Sequence, residues 1–411
     1  MYELAFLLPF QYHNINQLLM NQRFYSLDVF RGATVALMIL VNNPGSWGQI
    51  YTPLEHAPWH GVTPTDLVFP FFLFAVGNAM AFVLPRLEAA GESVFWKKVI
   101  KRTIMILLIG LFLNWFPFIK WQNDVIVGKP WAYLTADGAA AGVRIFGVLQ
   151  RIALCYFFAS VIAHYFKQRG AFVVSAFLLL AYWFICIAAN PADPFSLAGW
   201  FGTKIDLALV GEAHIYKGEG QSFDPEGLAS ILGAIVQVIF GYLAGSYILQ
   251  KGKTHEMVNG LFVAGCVLVF AGYCWDMVFP INKKIWTSSY TVYTTGLALL
   301  ILSVMIYIIE FKNWRGKWSR FFDVFGKNAL FIFVMSGVLP RLLALIRIPG
   351  SIGADGKQIY HTPFGWFYEM VCKKIVPAEP KVGSLIYALC FITMMWFLAW
   401  LLDRKRIYIK V

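Results

Sequence analysis

The sequence predicts an all-α, polytopic membrane protein with about ten, and at most eleven, transmembrane helices. Three observations predict this class. First, 59% of the 411 residues are apolar and only 14% are charged, whereas a soluble domain is roughly 45–50% apolar and about 25% charged. Second, the mean hydropathy is positive. Third, ten apolar stretches approach the roughly 20 residues that a membrane helix needs. This composition excludes a soluble domain, a disordered chain, a coiled coil and a nucleic-acid-binding module.

The predicted spans follow one another along the whole chain. Seven contain no charged residue, whereas the first, fourth and ninth are interrupted by charges. In chain order the predicted spans are residues 27–41, 67–85, 103–119, 143–166, 170–192, 227–250, 257–275, 285–309, 321–343 and 382–402.

Polar side chains inside these spans are candidate functional residues, because an ionisable group in the bilayer costs about 3 kcal/mol or more unless it is paired or hydrated. Asp28 and Arg31 share a face of the first helix, where they either pair with each other or serve the function. Further polar residues in or at the ends of spans are Asn42, Asn114, Gln150, Arg151, Lys327 and Asn328. For a lone amide, an interhelical hydrogen bond is the more common explanation.

The basic residues predict the orientation of the chain. A net charge of +12 would indicate a polyanionic partner in a soluble protein, but in a membrane protein it indicates cytoplasmic loops. With both termini in the cytoplasm, eighteen of the 34 basic residues fall in short cytoplasmic segments, and the first external loop has none. We therefore expect cytoplasmic termini and three sizeable external loops, at about 43–65, 191–228 and 344–383, where function should lie.

The chain divides into an N-terminal segment, 1–25, and one membrane domain, 26–411. Residues 1–10 are apolar but too short to span a bilayer, and they lack the features of a signal peptide. Two interpretations stay open: a short helix on the membrane surface, or a true start codon at Met20.

The densest polar cluster is residues 55–66, which contain two histidines and lead directly into the second span. A metal site would need His56 and His60 on one helix, and the prolines and glycine among them oppose that, so we expect no metal. Thr65 or Asp66 is the predicted N-cap of the second span. A neutral histidine at this boundary could act as a base or a nucleophile, or could simply tie the loop to a helix.

Six motifs carry a family resemblance. They are Ser-Leu-Asp-Val-Phe-Arg-Gly-Ala at 26–33, Val-Asn-Asn-Pro-Gly at 41–45, the block 55–72 that ends in Asp-Leu-Val-Phe-Pro-Phe-Phe, Arg-Ile-Phe-Gly-Val-Leu-Gln-Arg-Ile at 144–152, Phe-Asp-Pro-Glu-Gly-Leu at 223–228, and Pro-Ile-Asn-Lys-Lys-Ile-Trp-Thr-Ser-Ser-Tyr at 280–290. Together they resemble the heparan-α-glucosaminide N-acetyltransferase family, from about residue 26 to the C-terminus. The opening motif also resembles the wider membrane acyltransferase superfamily.

The resemblance implies transfer of an acetyl group from cytosolic acetyl-CoA to an amino sugar of a glycan on the outer side. The family's active-site histidine falls on His56 and a neighbouring asparagine on Asn42. His60 stands where the lysosomal members of the family have asparagine, so no role is carried over to it. Further candidates for binding substrate or cofactor are Arg31, Asp66, Arg86, Arg144, Gln150, Arg151, Asn282 and Trp286. Arg31 and Arg86 are the candidates for the CoA phosphates. The family also implies a homodimer, and the missing N-terminal extension favours a bacterial cytoplasmic membrane.

The residue types suit this chemistry. Histidine can deprotonate the attacking amine, which typically gives about 10²–10⁴-fold acceleration, and the Asn42 amide can stabilise the oxyanion. Direct transfer and an acetyl-histidine intermediate both stay open.

Other functions remain as alternatives: an O-acyltransferase acting on an envelope glycan, a secondary transporter, or a non-catalytic scaffold. A transporter should show paired, glycine- or proline-interrupted helices in two halves. Here the polarity is concentrated instead in one external histidine loop.

Overall fold

The computed structural model describes residues 24–122, 124–352 and 358–409. Helices make up 67% of the structure. Residues 1–23 of the predicted N-terminal segment lie outside the described residues.

The first three long helices are α1 (Tyr25–Asn42), α2 (Val68–Ala89) and α3 (Glu92–Trp115). The α1–α2 connection contains two short 3₁₀ turns, Thr52–Leu54 and Pro64–Leu67.

The predicted N-cap of the second span was wrong. The cap of the turn that leads into α2 is Thr63, and Asp66 is the third residue inside that turn, where its carboxylate accepts from the Thr63 amide. The turn starts before Thr65 because Pro64, with its fixed φ, occupies the first helical position.

Two β-hairpins precede the longest helix. β1 (Ile119–Gln122) pairs antiparallel with β2 (Val125–Gly128), and β3 (Ala132–Leu134) pairs with β4 (Ala140–Gly142). The helix α4 (Val148–Ala189) is 42 residues long.

Helix α4 consists of two halves that run in opposite directions. The backbone leaves helical geometry at Lys167, where φ is 53° and ψ is −163°. Lys167 pairs with Glu88 at the far end of α2, yet Tyr182, in the second half, donates to Ile285 near the start of α8. The chain therefore turns at Lys167 and returns to the end of the bundle from which it came.

The middle of the chain forms α5 (Gly202–Val210), α6 (Ile231–Lys251), α7 (His255–Asp276) and α8 (Ser288–Ile306). A short 3₁₀ turn, Glu212–His214, follows α5, and one π-helical turn, Tyr307–Phe311, extends α8.

The C-terminal region contains a broken helix. Its two parts are α9 (Lys317–Lys327) and α10 (Ala329–Leu343), bent by 81°. Next come a hairpin of β5 (Ile348–Ile352) and β6 (Gln358–His361), the short helices α11 (Pro363–Phe367) and α12 (Lys373–Ile375), with a π-helical turn, Tyr368–Cys372, between them, and finally α13 (Pro380–Arg404).

Among the described residues, seven helices are long and apolar enough to cross a membrane, or eight if the bent α9–α10 pair is one span. The predicted count of about ten therefore stays a prediction. The predicted spans 143–166 and 170–192 correspond to the two halves of α4, on either side of Lys167. The predicted span 103–119 is not among the seven, because α3 ends at Trp115 and its first half carries Lys97, Lys98, Lys101 and Arg102.

Glycines allow the helices α2 and α6 to pack closely. A Cβ atom on Gly77 would lie 1.8 Å from the Val238 carbonyl oxygen, and one on Gly241 would lie 2.1 Å from that of Phe74. Such small residues are typical of helix contacts within membranes.

The connections at one end of the bundle are longer and more ordered than the sequence predicts. That end gathers residues 43–67, 116–147, 190–230, 277–287 and 344–379. The three hairpins depart from the all-α expectation, and the segment 116–147 adds a large connection to the three predicted ones. We call this end of the bundle the outer end and the opposite end the inner end.

Candidate active site

His56 and Asp66 form the centre of the site at the outer end. His56 Nδ1 lies 2.7 Å from Asp66 Oδ1. Because an ionised carboxylate only accepts hydrogen bonds, Nδ1 carries the proton and Nε2 is left as the basic nitrogen. The His56 side chain is 42% exposed, while that of Asp66 is 1% exposed. A buried carboxylate thus orients a half-exposed imidazole.

Neighbouring backbone holds Asp66 in place. Its Oδ2 atom accepts from the amides of Ala57 and Thr63, each at 3.0 Å, and from the Thr63 hydroxyl. Tyr290 donates to the Asp66 carbonyl oxygen at 2.6 Å. With both of its oxygens engaged, Asp66 has one orientation, and so does the imidazole that it holds.

A second loop brings Lys283 to the same place. Its Nζ lies 3.0 Å from His56 Nδ1, 3.2 Å from His56 Nε2 and 3.5 Å from Asp66 Oδ1. The Gly61 amide donates to the Ile281 carbonyl at 2.7 Å, which ties the histidine loop to the segment carrying Lys283. Gly61 has a φ of +99°, a conformation that other residues rarely adopt.

Lys283 is partly protected from water, with a side chain 17% exposed. Burial lowers the pKa of its amine, and this outweighs the opposite effect of Asp66 and Glu226. The amine therefore loses its proton below the usual pH range of a lysine.

An ion cluster lies beside this group. Arg144 pairs with Asp224, whose Oδ2 is 2.8 Å from Nε, and with Glu226. Burial alone would raise the pKa of Glu226, but the guanidinium groups of Arg144 and Arg151 hold it below its usual range. Glu226 is thus an anion within the site.

Three adjoining cavities connect these residues. One of about 220 Å³ is lined by His56, Asp66, Lys283, Arg144, Glu226 and Trp286, among others. One of about 100 Å³ is lined by both His56 and Asn42. The third, of about 550 Å³, is lined by Asn42, Arg144 and Gln150. The structure therefore brings His56 and Asn42 to one small cavity without a hydrogen bond between them.

Other predicted candidates lie behind the cavities. Arg151 is 1% exposed, and its Nη2 donates to the Gly227 carbonyl at 2.7 Å. Its guanidinium lies 5.2 Å from the centre of the Trp286 ring. Asn282 shapes the turn before Lys283: its Oδ1 accepts from the Ile285 amide at 3.0 Å. These contacts hold the segments that carry Glu226, Lys283 and Trp286 in place around the cavities.

Arg31 and Arg86 lie at the inner end, away from His56. Arg31 pairs with Asp28 at 2.8 Å and donates to the Gly326 carbonyl at 3.0 Å. Both members of this pair line a cavity of about 230 Å³ with the buried Asn78. Arg86 is in the last turn of α2.

Sequence reasoning missed Lys283 and Glu226 as members of the site. Both lie in matched motifs, at 280–290 and 223–228, so the signal was present. The sequence alone does not reveal the hydrogen bond from Gly61 to Ile281, which brings the segment carrying Lys283 next to the histidine loop. Within the described ranges, no group of three or more His, Cys, Asp or Glu side chains could hold a metal ion.

Fold and site define a class: an integral membrane protein with a histidine–carboxylate pair at one end of its helix bundle. A family model described as heparan-alpha-glucosaminide N-acetyltransferase, catalytic, matches residues 23–208. The proteins named heparan-alpha-glucosaminide N-acetyltransferase from Homo sapiens and Mus musculus are similar, at 26% and 24% identity over 95% of this chain. The chain spans 60% of the length of these two relatives. The chain is thus similar to this family over residues 23–208 and to these two relatives over nearly its whole length.

Proposed function

We propose that this protein transfers an acetyl group from acetyl-CoA to the amine of a glucosamine-type sugar, and that His56 is the general base. The observation that carries this proposal is the His56–Asp66 pair, which leaves Nε2 as the basic nitrogen of a side chain that lines two adjoining cavities. The activity in the relatives' name supports the choice of acceptor and donor.

The reaction needs one proton to move. The amine nitrogen forms a bond to the acetyl carbonyl carbon, and the carbon–sulfur bond to CoA breaks. His56 Nε2 takes the proton from the attacking amine and returns it to the departing thiolate. Asp66 stabilises the imidazolium formed in between, and it also fixes the tautomer that the base requires.

Two groups that line the cavity with His56 carry hydrogen-bond donors for the oxyanion of the tetrahedral intermediate. Asn42 lines the 100 Å³ cavity with His56 and offers amide protons. Lys283 lines the same cavity and, when charged, offers three donors. Removing one such donor typically costs about 10²–10³-fold in turnover.

The distribution of basic residues supports a sidedness for the reaction. The inner ends of α2 and α3 carry Arg86, Lys97, Lys98, Lys101 and Arg102, whereas the outer loop 43–65 contains no Lys or Arg. By the positive-inside rule the inner end faces the cytoplasm, so we propose that the acceptor sugar reaches His56 from outside. The donor then enters from the cytoplasmic side, where Arg31 lines a cavity.

The test is turnover by the purified protein. Wild type, His56→Ala and His60→Ala would be given acetyl-CoA with and without glucosamine, and free CoA and N-acetylated sugar would be measured. We expect sugar-dependent CoA release by wild type, a loss of about 10²-fold or more in His56→Ala, and a change of less than tenfold in His60→Ala. His60 is the matched control because it lies in the same loop.

Two results would contradict different parts of the proposal. Absence of CoA release from wild type with any amino sugar would reject the transferase. Full activity of His56→Ala would reject the base and keep the class. For direct transfer we also expect no labelled protein when a single turnover with acetyl-labelled donor is quenched at neutral pH.

A further inference from the structure

The inner half of α3 carries a positive charge that no ion pair compensates. Its four bases lie close together in the sequence: Lys97, Lys98, Lys101 and Arg102. Within the described ranges of the chain, none of the four forms an ion pair. The lysines are exposed, and Arg102 is half-buried with its guanidinium 4.7 Å from the centre of the Tyr156 ring. These charges are therefore available to a partner outside the chain.

The two acids closest to these bases in the sequence do not neutralise them. Glu88, at the end of α2, pairs with Lys167 at 3.0 Å and lies 2.9 Å from His164 Nδ1. Glu92 begins α3, but at 3.6 residues per turn it lies about 140° around the helix axis from Lys97. The exposed lysines therefore share their side of the helix with neither carboxylate.

Apolar side chains continue the lysine side of α3 toward the outer end. Because an α-helix has 3.6 residues per turn, positions 97, 101, 104, 108 and 112 lie on one side of it. We call these five positions the α3 stripe. Its inner end is basic and the rest is apolar, and all five side chains are exposed: Lys97, Lys101, Ile104, Leu108 and Phe112. The opposite side packs inside the protein through the buried residues Phe95, Val99, Ile106 and Leu113.

The length of the stripe matches one leaflet of a bilayer. Lys101 and Phe112 are separated by a rise of about 16 Å along the helix, at about 1.5 Å per residue. The hydrocarbon core of a bilayer is about 30 Å thick, so one leaflet takes about 15 Å. Trp96 and Tyr165, whose rings are 6.1 Å apart, lie beside the lysines, and these residue types concentrate at the membrane–water interface. The lysines thus lie at the level of the lipid headgroups when the apolar side chains contact acyl chains.

We propose that the α3 stripe binds an anionic phospholipid from the leaflet at the inner end, with the lipid phosphate on Lys97 and Lys101 and an acyl chain along the apolar side chains. Charge complementarity supports this occupant, because clustered basic residues next to a membrane helix attract anionic headgroups. Lys98 and Arg102 lie to one side of the stripe, so a lipid with two phosphates should bind more tightly than a lipid with one. The inference is independent of the acetyl transfer.

The test measures lipid binding to the purified full-length protein in detergent by native mass spectrometry. Cardiolipin, phosphatidylglycerol and phosphatidylcholine would be titrated separately. For wild type we expect cardiolipin to bind most tightly and phosphatidylcholine at least about tenfold more weakly than either anionic lipid. In Lys97→Gln/Lys101→Gln, cardiolipin should bind about 25-fold more weakly, about fivefold for each charge removed.

Two further variants separate the α3 stripe from general charge and from misfolding. Lys97→Arg/Lys101→Arg conserves the charge and should bind cardiolipin as wild type does. Lys251→Gln/Lys317→Gln is the matched control, because it removes the same charge from the inner end, at the end of α6 and the start of α9. This control should bind within about twofold of wild type. A loss as large as that of the α3 variant would overturn the inference, since any charge at the inner end would then suffice.

Two competitors separate a lipid from other sources of phosphate. We expect neither inorganic phosphate nor acetyl-CoA to displace cardiolipin at millimolar concentration. Displacement by inorganic phosphate would reduce the stripe to a simple anion site. Displacement by acetyl-CoA, with a raised KM for acetyl-CoA in Lys97→Gln/Lys101→Gln, would assign the lysines to the donor instead. Equal binding of cardiolipin by wild type and this variant would also overturn the inference.

Discussion

At the level of single side chains, the proposed chemistry depends on Asp66 holding one nitrogen of His56. The buried carboxylate accepts from Nδ1, and a serine-protease-like division of labour follows, in which the acid orients the base and does not itself react. The imidazole lines both adjoining cavities, and Lys283 Nζ lies 3.2 Å from its Nε2.

Asp66→Asn tests this division of labour. An asparagine can turn its amide nitrogen toward Nδ1 and so favour the wrong tautomer. We expect kcat to fall by about 10²–10⁴-fold with little change in acceptor KM. Steady-state kinetics would measure this. Asp276→Asn is the control, because the hydrogen bond that Asp276 accepts in the described structure comes from the backbone amide of Ile281, within a turn. Equal losses in both variants would indicate a folding defect instead.

Lys283 should produce an alkaline limb in the pH–rate profile. Its ammonium is charged below its pKa and is lost as the pH rises through that value. Burial lowers this pKa from the usual 10.5. As the pH is raised, kcat should therefore begin to decrease before the pH reaches 10.5. Arginine stays charged above pH 12, so Lys283→Arg should lack the limb. Rates at pH 7–10.5, corrected for thioester hydrolysis, check this, and an unchanged limb in Lys283→Arg would assign it to another group.

At the level of elements, the outer connections are held by buried polar contacts as well as by apolar packing. Asp206 in α5 is an example: its Oδ1 accepts from the amides of Leu228 and Ala229, at 2.8 and 3.2 Å. Its Oδ2 is buried without a partner in the described structure. Burial raises the pKa of Asp206 to about 6.

This raised pKa predicts a pH-dependent stability. The folded state binds the Asp206 proton more tightly than the unfolded state, so the contribution is complete below about pH 4 and is lost as pH rises through 6. Asp206→Asn removes this dependence. Between pH 4.5 and 7.5 wild type should lose about 2 kcal/mol relative to the variant. Thermal unfolding in detergent at both values measures this, and parallel changes in the two proteins would exclude Asp206.

The contact between α2 and α6 gives a second prediction at this scale. Gly77→Ala places a methyl group 1.8 Å from the Val238 carbonyl oxygen, so the helices must separate. We expect a loss of about 1–3 kcal/mol in the free energy of unfolding, seen as a lower Tm. Gly48→Ala is the control, since its Cβ would have no atom within 4 Å. An equal Tm for both variants would contradict the packing argument.

The length of the apolar runs predicted seven or eight helices able to cross a membrane, because each needs only an apolar run of sufficient length. The separate predicted spans 143–166 and 170–192 also agree with the break of α4 at Lys167. The bend between α9 and α10 was not predicted. The bend depends on contacts far along the chain: Lys327 pairs with Asp403, and Asn328 accepts from the Ile409 amide. The sequence of residues 321–343 alone does not indicate these partners, which lie 60 or more residues further along the chain.

Some residues of the candidate site could be predicted from the sequence, and others are brought together only by the fold. His56, Asn42 and Asp66 were predicted because they lie in motifs near one membrane boundary. Lys283 is 227 residues from His56, so only the folded chain makes them neighbours. The inclusion of Gln150 was predicted, but its place in a separate, adjoining cavity was not.

At the scale of the whole molecule, two polar regions lie at opposite ends of the helix bundle. The outer end holds His56 and its three cavities, and the inner end holds the cavity of Asp28 and Arg31. A donor that enters at one end and an acceptor that enters at the other would meet where Asn42 and His56 line one cavity. This arrangement suits a transfer across the membrane only if the outer end faces away from the cytoplasm.

Cysteine labelling tests that orientation. Gly48→Cys is at the outer end, with open space around its Cβ, and Glu92→Cys is at the inner end, at the exposed start of α3. Because basic residues cluster at the inner end, a membrane-impermeant maleimide should label Gly48→Cys in intact cells and Glu92→Cys only after permeabilisation. The unsubstituted chain measures labelling of the native cysteines, of which Cys266, Cys274 and Cys390 are exposed. The reverse pattern would place His56 on the cytoplasmic side, where donor and acceptor would share one compartment and no transfer across the bilayer would be needed.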